Sequence, residues 1–137
     1  MKVVRSGVVE SEEVIVAIFG DGRLDMRVFE LTATRLNHGE HKIVQMLSSR
    51  EKSLEGAVET LTSLLIYARV KPKTFIVVLD REHVESVDQL RDVLVRKYGF
   101  EIKTMEPVGE EGGNVYKVEC TKGPLGVTIY IALLGLS

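Results

Sequence analysis

The chain has 137 residues, 45% of them hydrophobic and 28% charged, and its 18 basic and 20 acidic side chains leave a formal net charge of −2. That is the size and balance of one soluble globular domain, able to bury its own core without disulfides or a structural metal. It excludes a strongly basic nucleic-acid binder, leaving room only for a local basic patch, and no apolar run reaches the roughly 18 residues of a membrane span.

Cys120 is the single cysteine, so no internal disulfide framework exists and a reducing setting is expected. The first residues, M-K-V-V-R-S-G, lack the apolar stretch of a signal peptide, which makes the cytoplasm the expected location. Few Asn, Gln and Cys among many charges lean toward a thermophile.

In chain order, K-V-V-R-S-G-V-V (2–9) is a candidate short strand. V-I-V-A-I-F (14–19) is continuously apolar and β-rich, the pattern of a strand covered on both faces. A helix is predicted over 24–37, with Leu24, Val28, Leu31 and Arg35/Leu36 near one face and Asn37-His38-Gly39 as its stop. K-I-V-Q-M-L (42–47) is a second strand. Leu54, Ala57, Val58, Leu61, Leu64, Leu65 and Ala68 fall on one stripe of a long helix that Pro72 ends. F-I-V-V-L (75–79) is a third, buried strand. Ser86-Val87-Asp88-Gln89 fits a capping box, with Val87, Leu90, Leu94 and Tyr98 on the inner face and Gly99 as terminator. E-I-K-T-M-E (101–106) alternates as a half-exposed fourth strand. After the polar turn E-E-G-G-N, V-Y-K-V-E-C (115–120) and V-T-I-Y-I-A-L-L (127–134) read as strands joined across T-K-G-P-L-G.

Strands alternating with helices predict right-handed crossovers around a mainly parallel sheet. The expected fold is a three-layer α/β domain with a β-α-β-α-β-α-β core, to which the C-terminal pair adds an antiparallel hairpin or edge. Residues 1–137 form one domain in this reading.

In open α/β sheets, ligands gather outside the carboxyl ends of parallel strands. Two loops leave such ends carrying acids: F-G-D-G-R-L-D, with Asp21 and Asp25, and D-R-E-H, with Asp80 and Glu82. Residues two apart in extended backbone project to one side, so Asp80 and Glu82 converge if the chain stays extended past Leu79. Mg²⁺ or Mn²⁺ suits that oxygen-rich setting and would bring phosphate oxygens with it. Such an ion could polarise a phosphoryl oxygen or activate water. Gly20 and Gly22 permit a tight turn that brings backbone N–H groups near a phosphate. Arg23, Arg50 and Arg81 follow predicted strands and could meet one. The loop completes neither G-x-G-x-x-G nor a P-loop.

The element order, with Leu79-Asp80-Arg81-Glu82 after an apolar strand, resembles the Toprim domain of topoisomerases, primases and related nucleases over about residues 12–106. Residues 107–137 would then be a C-terminal β extension. The resemblance implies metal-binding roles for Asp80 and Glu82, a nucleic-acid or other phosphate-containing ligand, and Mg²⁺-dependent phosphodiester cleavage or transfer. Arg81 or a neighbouring base would position phosphate. The family also places a glutamate before a glycine at the end of the first strand, where this chain has Ile18-Phe19-Gly20. Phe19 can neither bind a metal nor move a proton, so catalysis is expected to be weak or lost, with Asp21 or Asp25 as shifted substitutes.

Simpler roles stand beside these. Asp80 can hydrogen-bond the turn after its strand, Glu82 can be a solvated loop residue, and Asp21 and Asp25 suit helix capping. His38 and His41 straddle a predicted turn with too few further ligands for zinc; His83 matters only beside Asp80 and Glu82. Cys120 lies in a strand pattern with no identified base and reads as a packed thiol. A non-enzymatic, self-associating protein is the alternative function, a homo-oligomer built on V-T-I-Y-I-A-L-L-G-L-S, which carries no charge. An interior strand has the same composition. A receiver-like phosphoacceptor would use Asp80, but the predicted fourth strand leads into Glu106-Pro107 where a lysine is expected.

Overall fold

The computed structural model describes residues 2–4, 15–19, 43–48, 54–80, 84, 86–108 and 115–134. Among these, β1 (Lys2–Val4), β2 (Ile15–Phe19), β3 (Ile43–Ser48), β4 (Thr74–Asp80), β5 (Glu101–Pro107), β6 (Val115–Lys122) and β7 (Leu125–Leu134) form one seven-stranded sheet. The helices are α1 (Leu54–Tyr67) and α2 (Val87–Asp92), the latter continuing as a π-helical segment over Val93–Lys97. The expected helix over 24–37 and the polar turn over 110–114 lie outside the described residues. No described helix is long and apolar enough to cross a membrane.

The strand order is β1-β3-β2-β4-β7-β6-β5. β1, β3, β2, β4 and β7 pair in parallel, and β6 pairs antiparallel with both β7 and β5. The fold is therefore mixed α/β, and the expected antiparallel C-terminal hairpin is present. The placement of the fourth predicted strand needs correcting. β5 keeps the direction that a crossover from β4 demands, yet it does not adjoin the parallel strands; the β6–β7 hairpin stands between them. The cause is the two-residue turn at Gly123-Pro124. Gly123 adopts φ 58°, the sign both primed hairpin turns require at this position. It folds β7 back along β6, leaving the other edge of β7 to pair with β4.

Helix α1 forms where the apolar stripe predicts it. Leu54, Ala57, Val58, Leu61 and Leu65 are buried, and Leu64 packs against the same core. It ends at Tyr67, well before Pro72. There Lys71 Nζ donates to the carbonyls of Ile66 and Ala68 at 3.2 and 3.1 Å, satisfying acceptors that the last turn leaves open. Helix α2 begins as its capping sequence predicts, with Ser86 Oγ accepting from the Gln89 N–H at 3.3 Å. Beyond Asp92 the turns widen: the Tyr98 N–H donates to the Val93 carbonyl at 3.2 Å, five residues back rather than four. Both Val93 and Leu94 are buried in this segment. Gly99 closes it at φ 74°. Lys97 pairs with Glu55, and the Tyr98 hydroxyl donates to the Glu55 carbonyl at 3.3 Å, fastening the π-helical segment to the start of α1.

Register divides the side chains between two faces. One carries Val16 and Ile18, Phe75, Val77 and Leu79, Val118 and Cys120, and Ile129, Ile131 and Leu133, all packed with α1 and α2 in one core. On the other face Ile15, Ala17, Phe19, Ile76, Val78 and Ala132 are buried as well. That two-sided burial is why β2 and β4 read as unbroken apolar runs. Toward β5 this second face turns polar, with Thr104 and Glu106 opposite Glu119 and Lys117, and Lys117 lies 3.4 Å from Glu119.

Candidate functional site

The connections leaving β2 and β4 go opposite ways along the sheet. β2 leads to β3 on one side, whereas β4 leads through α2 to β5 on the other. The gap between the carboxyl ends of β2 and β4 is therefore a topological switch point, where open α/β sheets leave a crevice for ligands. The residues at those ends are Phe19 and Asp80.

Phe19 pairs with Val78 across the β2–β4 ladder. Side chains alternate along a strand, so Phe19, Val78 and Asp80 share the second face. Phe19 is buried and Asp80 half-buried. A carboxylate at this position offers hard oxygen donors of the kind Mg²⁺ or Mn²⁺ takes. Among the described residues, no group of three or more His, Cys, Asp or Glu side chains is arranged to hold a metal ion.

Of the residues singled out from the sequence, the structure places Phe19 and Asp80 on one face at the ends of neighbouring strands. Gly20, Asp21, Gly22, Arg23, Asp25, Arg81, Glu82 and His83 lie outside the described residues, as do His38, His41 and Arg50. For the receiver-like alternative, β7 is the strand now next to β4, and it ends on Leu134; no lysine stands there either.

Cys120 is buried on β6, with Sγ 3.7 Å from the Val127 carbonyl. Burial pushes its thiol up from 9.0 to about 11. A thiol held protonated in this way suits packing better than nucleophilic attack. The charge-free segment over 127–134 is β7, flanked by β4 and β6, so an interior position accounts for its apolar character. The basic run Arg69-Val70-Lys71-Pro72-Lys73 was not among the residues expected from sequence, although three cations within five residues are a readable signal. It lines a separate groove at the opposite end of β4.

Compared with known proteins, the chain matches no family model, and no curated protein or solved structure is significantly similar to it.

Proposed function

We propose that the protein binds a divalent cation, Mg²⁺ or Mn²⁺, at the carboxyl ends of β2 and β4, and through it a phosphate-containing or nucleic-acid ligand. In this reading it is a degenerate Toprim-like protein: Asp80 and Glu82 hold the ion, assisted by Asp21 or Asp25, while Gly20, Gly22, Arg23 and Arg81 meet phosphate. One observation carries the proposal. β2 and β4 are parallel neighbours at the switch point, and Asp80 sits on the same face as Phe19, the residue standing where the family has its glutamate. With an aromatic ring in place of that carboxylate, phosphodiester cleavage or transfer is weak or lost.

The proposal includes a three-layer arrangement. α1 and α2 cover one face while β2 and β4 are also buried on the other. The steps from β3 to β4 and from β4 to β5 run the same way across the sheet; the step from β2 to β3 runs back. Opposite steps of this kind, made with crossovers of one hand, suit a sheet covered on both faces, which the two-sided burial of β2 and β4 supports.

Calorimetric titration of Mg²⁺ and Mn²⁺ into the wild type and Asp80→Asn tests the cation site. Weak but measurable binding that Asp80→Asn abolishes is expected. Equal binding by both proteins, or none by either, sinks the proposal.

A further inference from the structure

Among the described residues the sheet ends on β5, along which Glu101, Lys103, Thr104, Glu106 and Pro107 are exposed. Just past its end, the Val108 N–H donates to the Val115 carbonyl at 2.9 Å. In an antiparallel ladder, alternate residues turn their N–H and C=O toward the partner strand. Counting back from Val108, Glu106 and Thr104 face β6, so both backbone groups of Met105 point out of the sheet. An edge of this kind is a template for one more strand.

The same edge borders a groove of about 450 Å³. Arg91 and Val95 line it from the helical side, and Phe100, Glu101, Ile102 and Met105 from the strand side. Val95 is 40% exposed, and Ile102 and Met105 are only partly covered by the core they pack against. Arg91, four residues before Val95, is exposed at the rim. An extended segment laid along Met105 would hydrogen-bond the edge and send alternate side chains into this groove. An apolar side chain there meets Val95 and Ile102, and an acidic one meets the Arg91 guanidinium.

The edge also sets the length of its occupant. Lys103 is the extra residue of a bulge between Ile102 and Thr104, and Pro107 has no N–H to offer. Both features blunt an edge against long pairings. A second copy laying its own seven-residue β5 along this one would meet both, whereas a short segment centred on Met105 lies between them.

We propose that the β5 edge and its groove bind a short extended peptide. The peptide adds a strand at Met105, packs an apolar side chain against Val95 and Ile102, and pairs an acidic side chain with Arg91. The site is three strands away from β4 and Asp80 and needs no metal. Its test is run in EDTA, where failure of the cation proposal has no influence.

Fluorescence polarisation at low salt, with a labelled and end-blocked D-T-L-T-D peptide, measures the binding. An acid at each end serves either strand direction. The wild type should bind saturably. N-methylation of the leucine amide should abolish binding, because it removes the donor to the Met105 carbonyl and bars close pairing. Met105→Pro lacks the outward N–H and is expected to bind at least about twofold more weakly. Arg91→Glu should lose roughly tenfold or more and prefer K-T-L-T-K instead. Arg96→Glu, the same charge change at a side chain 82% exposed, should keep the wild-type preference. Circular dichroism checks each fold; should Met105→Pro not fold, the N-methylated peptide tests the same hydrogen bonds on the wild type. The proposal is overturned if the wild type does not bind, if the N-methylated peptide binds equally, or if Arg91→Glu still prefers D-T-L-T-D. A wild-type dimer in light scattering that Met105→Pro dissociates would assign the edge to a second copy and overturn it too.

Discussion

Phe19 and Asp80 project to the same face of the sheet from neighbouring parallel strands, Phe19 directly across from Val78 and Asp80 two residues beyond it. The last described residue of β2 on Asp80's face is thus a buried aromatic ring, only 6% exposed. Two carboxylates in these positions would repel each other until a cation joined them. The ring removes that repulsion, and with it one set of oxygen donors.

Phe19→Glu is accordingly expected to tighten Mg²⁺ or Mn²⁺ binding relative to both the wild type and Phe19→Gln. Replacing a packed ring by a charged group should cost on the order of 3 kcal/mol of stability without metal. Calorimetry on the folded variants, with denaturant unfolding alongside, measures both effects. Equal affinities in all three proteins would place Phe19 away from the ion.

Cys120 makes the fold sensitive to alkaline pH. Its pKa is raised on folding from 9.0 to about 11 because burial disfavours the thiolate. The folded state therefore holds the proton more tightly than the unfolded chain. The resulting stabilisation is complete below about pH 9.0 and is lost as pH rises through about 11. Urea midpoints taken across that window should fall more steeply for the wild type than for Cys120→Ala. Parallel declines would assign the effect to other groups.

Lys122 joins β6 to the end of the π-helical segment. Its ammonium donates to the Tyr98 carbonyl and stands 5.4 Å from the centre of the Phe100 ring. Lys122→Met keeps the aliphatic stem and removes both interactions, so a loss of about 1–2 kcal/mol is expected. Arg96→Met is the comparison. Its pair with Asp92, at 3.7 Å, is exposed on both sides and should be worth less than about 0.5 kcal/mol. Urea unfolding of the two variants separates these cases.

Gly99→Ala isolates the cost of a backbone conformation. A Cβ at this position would come no closer than 3.5 Å to its nearest neighbour, Lys122 Nζ, which is ordinary contact. The φ of 74° is the obstacle, and a loss of about 1–2 kcal/mol is expected from it. An unchanged thermal midpoint would mean that the loop relaxes to a negative φ.

Much of the local structure was legible in the sequence. The alternation of E-I-K-T-M-E marks a strand, the spacing from Leu54 to Leu65 marks a helix face, and Ser86 with Gln89 marks a helix start. Each signal lies within a few residues, because backbone periodicity and capping act over that range. The buried position of Cys120 follows equally from its strand context.

Strand neighbours were decided elsewhere. The period-two pattern of β5 is the same beside β4 as at the far edge, so nothing within residues 101–107 could reveal that β7 and β6 stand between. The hairpin at Gly123-Pro124 and the two-sided apolar surface of β7 made that choice, through pairings that form only when distant segments meet. The proposed cation site shares this origin: Phe19 and Asp80 lie on one face at neighbouring strand ends because of the β2–β4 register. Sequence alone determined which residues could be strand, helix and cap. Which of them became neighbours was set by competition among long-range pairings, a quantity that no short stretch of chain contains.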